Sequence, residues 1–381
     1  MQYNATSKEE LNAQLIEAAE AGNIENVKKL LKQGAKVNAR DNDEKTAMMW
    51  AAQYGKLNVV KHLVENGAEV DARSKDGRTA LIRAALNGHL DVVKCLVGRG
   101  AEVDAKDKER RTAIVVAAWG GHLDVVKFLV EQGAEVDATD NDGWTAMMWA
   151  AKNGHLDVVK FLVEKGAKVD ARNNDGETAM IEAALYGHRA GHLAIVRFLA
   201  EHGADVDADD NVGLTALMWA ARNGHLDIVK FLVEQGAEVD AKDGYEWTAM
   251  MEAAKNGHLD IVKFLIEHGA YVDAKEKYNG DTAMMKAAFW GYFEVVKLLV
   301  EKGADTSVEN KEGKTATMLA REKGYKEIVD YLDLLTQTKE RMESVVKDND
   351  GSGLELRSEI KSLLRTVHEY NVARHGVSYE V

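Results

Sequence analysis

Two kinds of short hydrophobic segment alternate along the chain. The first is a run of small and apolar residues behind a threonine, as in 145–151 (TAMMWAA). The second has an aliphatic stripe at helical spacing, as in 123–131 (LDVVKFLVE), and stops near Gly133, a residue type that often ends helices in a left-handed conformation. Threonine is a good helix N-cap. We therefore expect pairs of short helices, each followed by a turn-rich hairpin that leads to the next threonine.

This helix pair recurs with a nearly fixed period. The threonine that opens each first helix recurs at spacings of 33, 33, 33, 33, 37, 33, 34 and 33 residues: Thr46, Thr79, Thr112, Thr145, Thr178, Thr215, Thr248, Thr282 and Thr315. Such a period predicts a solenoid of stacked repeats. An atypical N-terminal copy, opened by a capping box at Ser7, brings the number of repeats to ten. We expect an all-α repeat solenoid over 7–335 and a helical tail over 336–381.

The unit at 140–171, DNDGWTAMMWAAKNGHLDVVKFLVEKGAKVDA, resembles the ankyrin repeat. The resemblance rests on the G-x-T turn, the A-A pair, the G-H-L joint and the G-A-x-V-D-A ending. The family's T-P-L-H has become T-A-M-M, T-A-L-I, T-A-I-V or T-A-L-M, and proline is absent from the whole chain. The resemblance implies helix-turn-helix repeats with β-hairpin loops and a protein-binding scaffold without enzymatic activity.

Positions that vary among the copies are the candidates for binding residues, since the positions that stay the same build the repeat framework. They are the hairpin tip before each threonine and positions four, seven and eight after it. In the ankyrin family these surfaces line the concave groove that holds a partner. All seven tryptophans fall there, and aromatic and charged side chains are typical of binding hot spots. The predicted contact residues are Trp50, Tyr54, Arg83, Trp119, Trp144, Trp149, Glu182, Tyr186, Trp219, Arg222, Tyr245, Trp247, Glu252, Lys286, Phe289 and Trp290. Alternatively, the tryptophans at position four belong to the core between repeats.

Composition narrows the class of partner. The chain has 49 Lys and Arg against 63 Asp and Glu, a formal net charge of -14, which argues against nucleic acid or an anionic membrane. The single cysteine, Cys95, excludes a disulfide within the chain, and no apolar run approaches the ~18 residues of a membrane span. The N-terminal residues are too polar for a signal peptide. We expect a cytoplasmic monomer that binds a protein or peptide.

The recurring histidines indicate a structural role and not a catalytic or metal-binding one. Six of them occupy the same G-H-L joint and are expected to bond the neighbouring loop: His89, His122, His155, His192, His225 and His258. The irregular copy has two such joints around four extra residues near 188–191, which we interpret as a lengthened loop between its two helices. Gly313-Lys314-Thr315 is the repeat's own turn and lacks the upstream glycine of a phosphate-binding loop. No catalytic motif is present, so we do not expect an enzyme.

The tail carries a separate signal. Residues 348–359 (DNDGSGLELRSE) resemble the twelve-residue calcium loop of an EF-hand. The resemblance implies a Ca²⁺ site formed by Asp348, Asp350, Ser352, the Leu354 carbonyl and Glu359. The eighth and ninth loop positions depart from the family pattern, no second loop follows, and a solvated turn is the alternative. Three functions thus remain open: a binding scaffold, a calcium-responsive adaptor, and an engineered or recently amplified repeat without a dedicated partner.

Overall fold

The computed structural model describes residues 7–348, without the side chains of 190 and 342–348. These residues form twenty helices: α1 Lys8–Ala21, α2 Ile24–Lys32, α3 Ala47–Gln53, α4 Leu57–Glu65, α5 Ala80–Leu86, α6 Leu90–Val97, α7 Ala113–Trp119, α8 Leu123–Glu131, α9 Ala146–Asn153, α10 Leu156–Glu164, α11 Ala179–Leu185, α12 Ala190–Glu201, α13 Ala216–Asn223, α14 Leu226–Glu234, α15 Ala249–Lys255, α16 Leu259–Glu267, α17 Ala283–Trp290, α18 Phe293–Glu301, α19 Ala316–Lys323 and α20 Lys326–Asp348. They pair into ten repeats, as predicted.

The first helix of most repeats begins behind a threonine cap. The hydroxyl of Thr46 accepts a hydrogen bond from the backbone N–H of Met49 at 3.3 Å, and Thr145 does the same for Met148 at 3.2 Å. The capping role predicted for these threonines is therefore confirmed there. Thr112 is different, because its buried hydroxyl has no hydrogen-bond partner.

The helices divide into two compact units, 7–220 with 227–237 and 221–226 with 238–348. In the first unit α1, α3, α5, α7, α9 and α11 form one row of neighbours, and α2, α4, α6, α8, α10 and α12 form another. In the second unit α15, α17 and α19 form one row, and α16, α18 and α20 form another. Each second helix buries an aliphatic face, such as Val125, Val126 and Leu129 in α8. The predicted all-α repeat solenoid is confirmed.

Each hairpin is organised by a polar side chain near its start. Asp140 Oδ1 accepts hydrogen bonds from the backbone N–H groups of Asp142 at 3.0 Å and Trp144 at 2.9 Å. The two arms meet in an isolated bridge between Thr139 and Thr145. Among residues 7–348 the hairpins contain such bridges but no extended strand. They connect the second helix of one repeat to the first helix of the next.

Histidine joints tie several repeats to the repeat before them. His122 Nε2 lies 3.1 Å from the carbonyl oxygen of Leu86, and His89 Nε2 lies 3.0 Å from that of Gln53. The preceding glycine is required at Gly121, which has a φ of 73° and where a Cβ would lie 2.5 Å from His155 Nδ1. The predicted role of the histidines as bonds to the neighbouring loop is confirmed at these positions.

The insertion near 188–191 mostly lengthens a helix. α12 begins at Ala190, whereas the other second helices begin at the residue equivalent to Leu193, so three of the four extra residues form a helical turn. His192 Nε2 still reaches the carbonyl oxygen of Lys152 at 2.9 Å. Helical residues advance only 1.5 Å each, so the extra residues fit without displacing this joint. Our interpretation of a lengthened loop is therefore wrong for most of the insertion.

α20 continues to Asp348 because the last repeat lacks the Gly-Ala stop, as predicted. Of the predicted calcium loop, only the backbone of Asp348 lies within the described residues, as the end of this helix. Asp350, Ser352, Leu354 and Glu359 lie outside them. The calcium site therefore stays a prediction.

Candidate partner-binding surface

The sixteen predicted contact residues fall into three classes of exposure. Trp119 and Trp290 are 48% and 49% exposed, and Tyr54 and Tyr245 are also exposed. Eight are half-buried: Trp50, Trp149, Tyr186, Trp219, Arg222, Trp247, Lys286 and Phe289. Four are buried: Arg83, Trp144, Glu182 and Glu252. The four exposed aromatic residues therefore offer the most surface to a partner.

The half-buried tryptophans at position four are held by the hairpin of their own repeat. In each case the indole Nε1 donates to the second carboxylate oxygen of the aspartate that organises the hairpin. The distances are 2.8, 3.1 and 3.1 Å for Trp50 with Asp41, Trp149 with Asp140, and Trp219 with Asp210. This bond fixes the orientation of the ring while part of its surface remains open. The sequence signal, an Asp nine residues before each of these tryptophans, was not used in the prediction.

Charged side chains at position four are paired inside the layer of first helices. Arg83 Nη2 donates to Ser74 Oγ at 2.7 Å and to Asp76 Oδ1 at 2.9 Å. Glu252 accepts two bonds from Arg222, at 2.9 and 2.6 Å. We expected these residues to contact a partner directly. Because Arg83, Glu182 and Glu252 are buried, this expectation is corrected: they stabilise the hairpins and the stacking of helices.

Trp144 is buried by its neighbours although it lies at a hairpin tip. Its ring stacks on Trp149 with centroids 4.4 Å apart, and Lys152 Nζ lies 4.3 Å from its centroid. The same ammonium group lies 4.7 Å from the ring centroid of Tyr186. Cation–π attraction of this kind holds the lysine between the rings. Trp144 is thus a support for Trp149, and the direct contact expected of it is corrected.

Glu182 lies beside this aromatic cluster. Burial, followed by the neighbouring carboxyl group of Glu177, raises the pKa of Glu182 to about 9. Its Oε2 atom has no hydrogen-bond partner and lies 4.0 Å from Lys152 Nζ. At neutral pH the carboxyl group is therefore mostly protonated, which avoids an uncompensated charge in the layer.

The second unit has an equivalent cluster around Trp247. Lys286 Nζ lies 4.6 Å and Lys255 Nζ lies 5.1 Å from its ring centroid. Lys286 also pairs with Asp281 at 2.8 Å. At the hairpin tips, the rings of Tyr245 and Tyr278 lie 5.4 Å apart, and Tyr278 is 64% exposed. Tyr278 was missed in the sequence because its hairpin is one residue longer than the others.

A family model described as Ankyrin repeats (3 copies) matches residues 15–107, 99–173, 169–243, 241–310 and 275–339. The chain belongs to the ankyrin-repeat family. Ankyrin repeats are generally protein–protein interaction modules and are typically not enzymes. A search of curated proteins found no significant match.

Within the described part of this ankyrin-repeat chain, no three His, Cys, Asp or Glu side chains are grouped as metal ligands would be. The rings of His188 and His192 approach to 5.3 Å without a third such group. Of the helices between residues 7 and 348, none combines the length and the apolarity that crossing a bilayer requires.

Proposed function

We propose that this ankyrin-repeat chain is a non-enzymatic scaffold that binds a protein or peptide in a groove lined by hairpin tips and first helices. The single observation that carries the proposal is that the exposed aromatic side chains Tyr54, Trp119, Tyr245 and Trp290 occupy positions that vary among otherwise uniform copies. About half of each tryptophan side chain remains open to solvent and is available to a partner. Aromatic residues of this kind are frequent binding hot spots.

The half-buried aromatic residues add rigidity to this surface. One aromatic side chain buries about 150–250 Å² when covered, and a standard interface requires ~800 Å² from each partner. The rings of Trp50, Trp149 and Trp219 are already oriented by an aspartate. Ordering them costs little on binding, so more of the contact energy is retained as affinity.

The test uses the full chain to select ligands from a random peptide library, followed by titration calorimetry with the enriched peptides. Trp119→Ala and Trp290→Ala should each lower the affinity for the peptides that contact the replaced residue by about tenfold, as expected for a hot spot. Tyr271→Ala is the matched control, because Tyr271 is 61% exposed but lies in the G-A-x-V-D-A ending, outside the first helices and the hairpin tips. Unchanged affinity in both tryptophan variants would contradict the proposal.

A calcium-responsive tail is a second proposal. It is supported by α20, which runs without a break to the first position of the EF-hand-like loop, as an incoming EF-hand helix does. Calorimetric titration of the full chain with CaCl₂ should give a saturable heat that is lost in Glu359→Gln, while Lys347→Gln serves as control. Absence of heat at millimolar calcium would contradict the calcium site and favour the alternative, a solvated turn.

A further inference from the structure

An apolar cavity of about 200 Å³ lies among three consecutive first helices of the first unit. Its walls are Leu86 from α5, Val115, Val116 and Trp119 from α7, and Trp149 from α9. A cavity of about 150 Å³ accepts a benzene ring, so this one accommodates a single aromatic or large aliphatic side chain. The exposed face of Trp119 and the anchored ring of Trp149 are thus parts of one site.

Two arginines, Arg78 and Arg111, complete the lining of the cavity. Their Nε atoms both donate to Oδ2 of Asp107, at 3.3 and 3.0 Å. The other oxygen of Asp107 already accepts the backbone N–H groups of Glu109 and Arg111, each at 2.9 Å. The buried carboxylate therefore has no further capacity for these arginines.

The terminal nitrogens of the two arginines remain available. The only other carboxylate near Arg78 among the described ion pairs is Asp76, whose Oδ2 lies 3.7 Å from Arg78 Nε. That carboxylate accepts hydrogen bonds from Arg83 at 2.9 and 3.1 Å. Within residues 7–348, no Nη atom of Arg78 or Arg111 has a hydrogen-bond acceptor. A guanidinium group offers its Nη donors most favourably to a carboxylate, which can accept two of them side by side.

The charge of the surrounding hairpins limits where an acidic ligand can sit. Hairpins 74–78 (SKDGR) and 107–111 (DKERR) carry five basic and three acidic residues. The other hairpins of the first unit all have more acidic than basic residues in the same five positions: 41–45 (DNDEK), 140–144 (DNDGW), 173–177 (NNDGE) and 210–214 (DNVGL). Among the hairpins of the first unit these two alone carry a basic excess, on a chain whose formal net charge is -14, and carboxylates placed beyond them meet repulsion.

Building on the scaffold role proposed above, we propose that this cavity is the docking site for a short acidic segment of the partner protein. A large apolar side chain of the segment fills the cavity, and the carboxylates of its immediate neighbours bind Arg78 and Arg111. The acidic hairpins on both sides restrict the segment to one or two such carboxylates, which gives selectivity by repulsion as well as attraction.

The experiment selects a random nine-residue peptide library on the full wild-type chain and, in parallel, on the double variant Arg78→Met/Arg111→Met. We expect the wild type to enrich peptides with Asp or Glu beside Phe, Trp, Leu, Ile or Met, and the double variant to lose the acidic preference. Arg99→Met/Arg172→Met is the matched control, since both residues are half-exposed arginines of the same unit away from the cavity. It should retain the wild-type preference.

Affinities of the best synthetic peptide then separate charge from shape. The Arg78→Met/Arg111→Met variant should bind it at least tenfold more weakly, the scale of one lost charge-assisted contact. Leu86→Phe reduces the cavity without changing charge and should also weaken binding, which keeps the test decisive if the arginine variant fails to fold. Far-ultraviolet circular dichroism checks the folding of each variant.

The outcomes distinguish this inference from the scaffold role. Enriched peptides without acidic residues, or equal affinity for the wild type and the cavity variants, would overturn the docking site. If such peptides still depend on Trp290, the scaffold role stands alone. If no peptide is enriched on any chain, both proposals are contradicted.

Discussion

Oδ2 of Asp140 accepts a hydrogen bond from Nε1 of Trp149 at 3.1 Å, while Oδ1 of the same carboxylate holds the hairpin backbone. One side chain thus couples the shape of the hairpin to the orientation of the helix residue nine positions later. The same arrangement recurs with Asp41 and Asp210. Hairpin and first helix therefore present their side chains as one rigid surface in these repeats.

Asp140→Asn should uncouple the two functions. The amide oxygen can still hold the hairpin, as Asn173 Oδ1 does by accepting the N–H groups of Asp175 at 3.0 Å and Glu177 at 2.9 Å. The amide nitrogen cannot accept from the Trp149 indole, which loses its partner. We expect the free energy of unfolding to fall by about 1–3 kcal/mol in urea titrations.

A double-mutant cycle with Trp149→Phe isolates the bond, because phenylalanine has no donor. In the Trp149→Phe background, Asp140→Asn should lower the free energy of unfolding clearly less than it does in the wild type. Strictly additive costs would show that the carboxylate and the indole do not interact.

Glu44 has the left-handed backbone that glycine occupies at most other hairpin tips, with a φ of 59°. A Cβ atom in this conformation costs roughly 1 kcal/mol. Glu44→Gly should therefore raise the free energy of unfolding by about that amount, measured in urea. Glu44→Ala keeps the Cβ and should leave stability nearly unchanged. Equal stabilisation by both variants would attribute the effect to the carboxylate and not to the backbone.

Glu182 makes stability depend on pH in a defined direction. Its pKa in the folded chain is raised to about 9, so the folded state holds a proton that the unfolded state loses above about pH 4.5. Stability should therefore fall as pH rises from about 4.5 to 9, by up to about 1.4 kcal/mol per pH unit from this group. Glu182→Gln should remove this slope and raise the melting temperature at pH 8 more than at pH 5. A parallel shift at both pH values would contradict the raised pKa.

His192 makes stability depend on pH in the direction opposite to Glu182. Burial lowers its pKa below the usual value of 6.5 despite its bond to the Lys152 carbonyl, and its Nδ1 accepts the backbone N–H of Arg189 at 3.3 Å. The unfolded state therefore binds the proton first, and stability should fall as pH drops below about 6.5. His192→Gln should flatten this slope in urea titrations between pH 7 and 5. An unchanged slope in this variant would contradict the lowered pKa of His192.

The fold was predictable because it depends on features that every copy shares. The threonine caps, the G-H joint and the left-handed Gly133 are local in sequence, and each occurs many times. The exposure of the varying residues was less predictable, because it depends on the neighbouring repeat. Position four lies between consecutive first helices, and this packing buries Glu182 and Glu252 while position seven leaves Trp119 open.

Two further differences between the structure and the expectations from the sequence have clear physical causes. The Asp140–Trp149 bond joins two positions that were considered separately, one as a turn residue and the other as a contact residue. The insertion was expected to remain a loop because it lies between the two helices of its repeat, with a G-H joint on either side. In the structure the requirement that His192 reach the preceding repeat favours a compact helical turn instead.

The most direct test of a scaffold that binds through hairpin tips and first helices is hydrogen–deuterium exchange of the full chain with and without its best selected peptide. We expect slower exchange in the hairpins and first helices that carry the exposed aromatic residues, above all 107–119, and no change in second helices such as α8 and α10. Slower exchange confined to the second helices, with the hairpins unchanged, would place the binding surface on the other row of helices and contradict the proposed function.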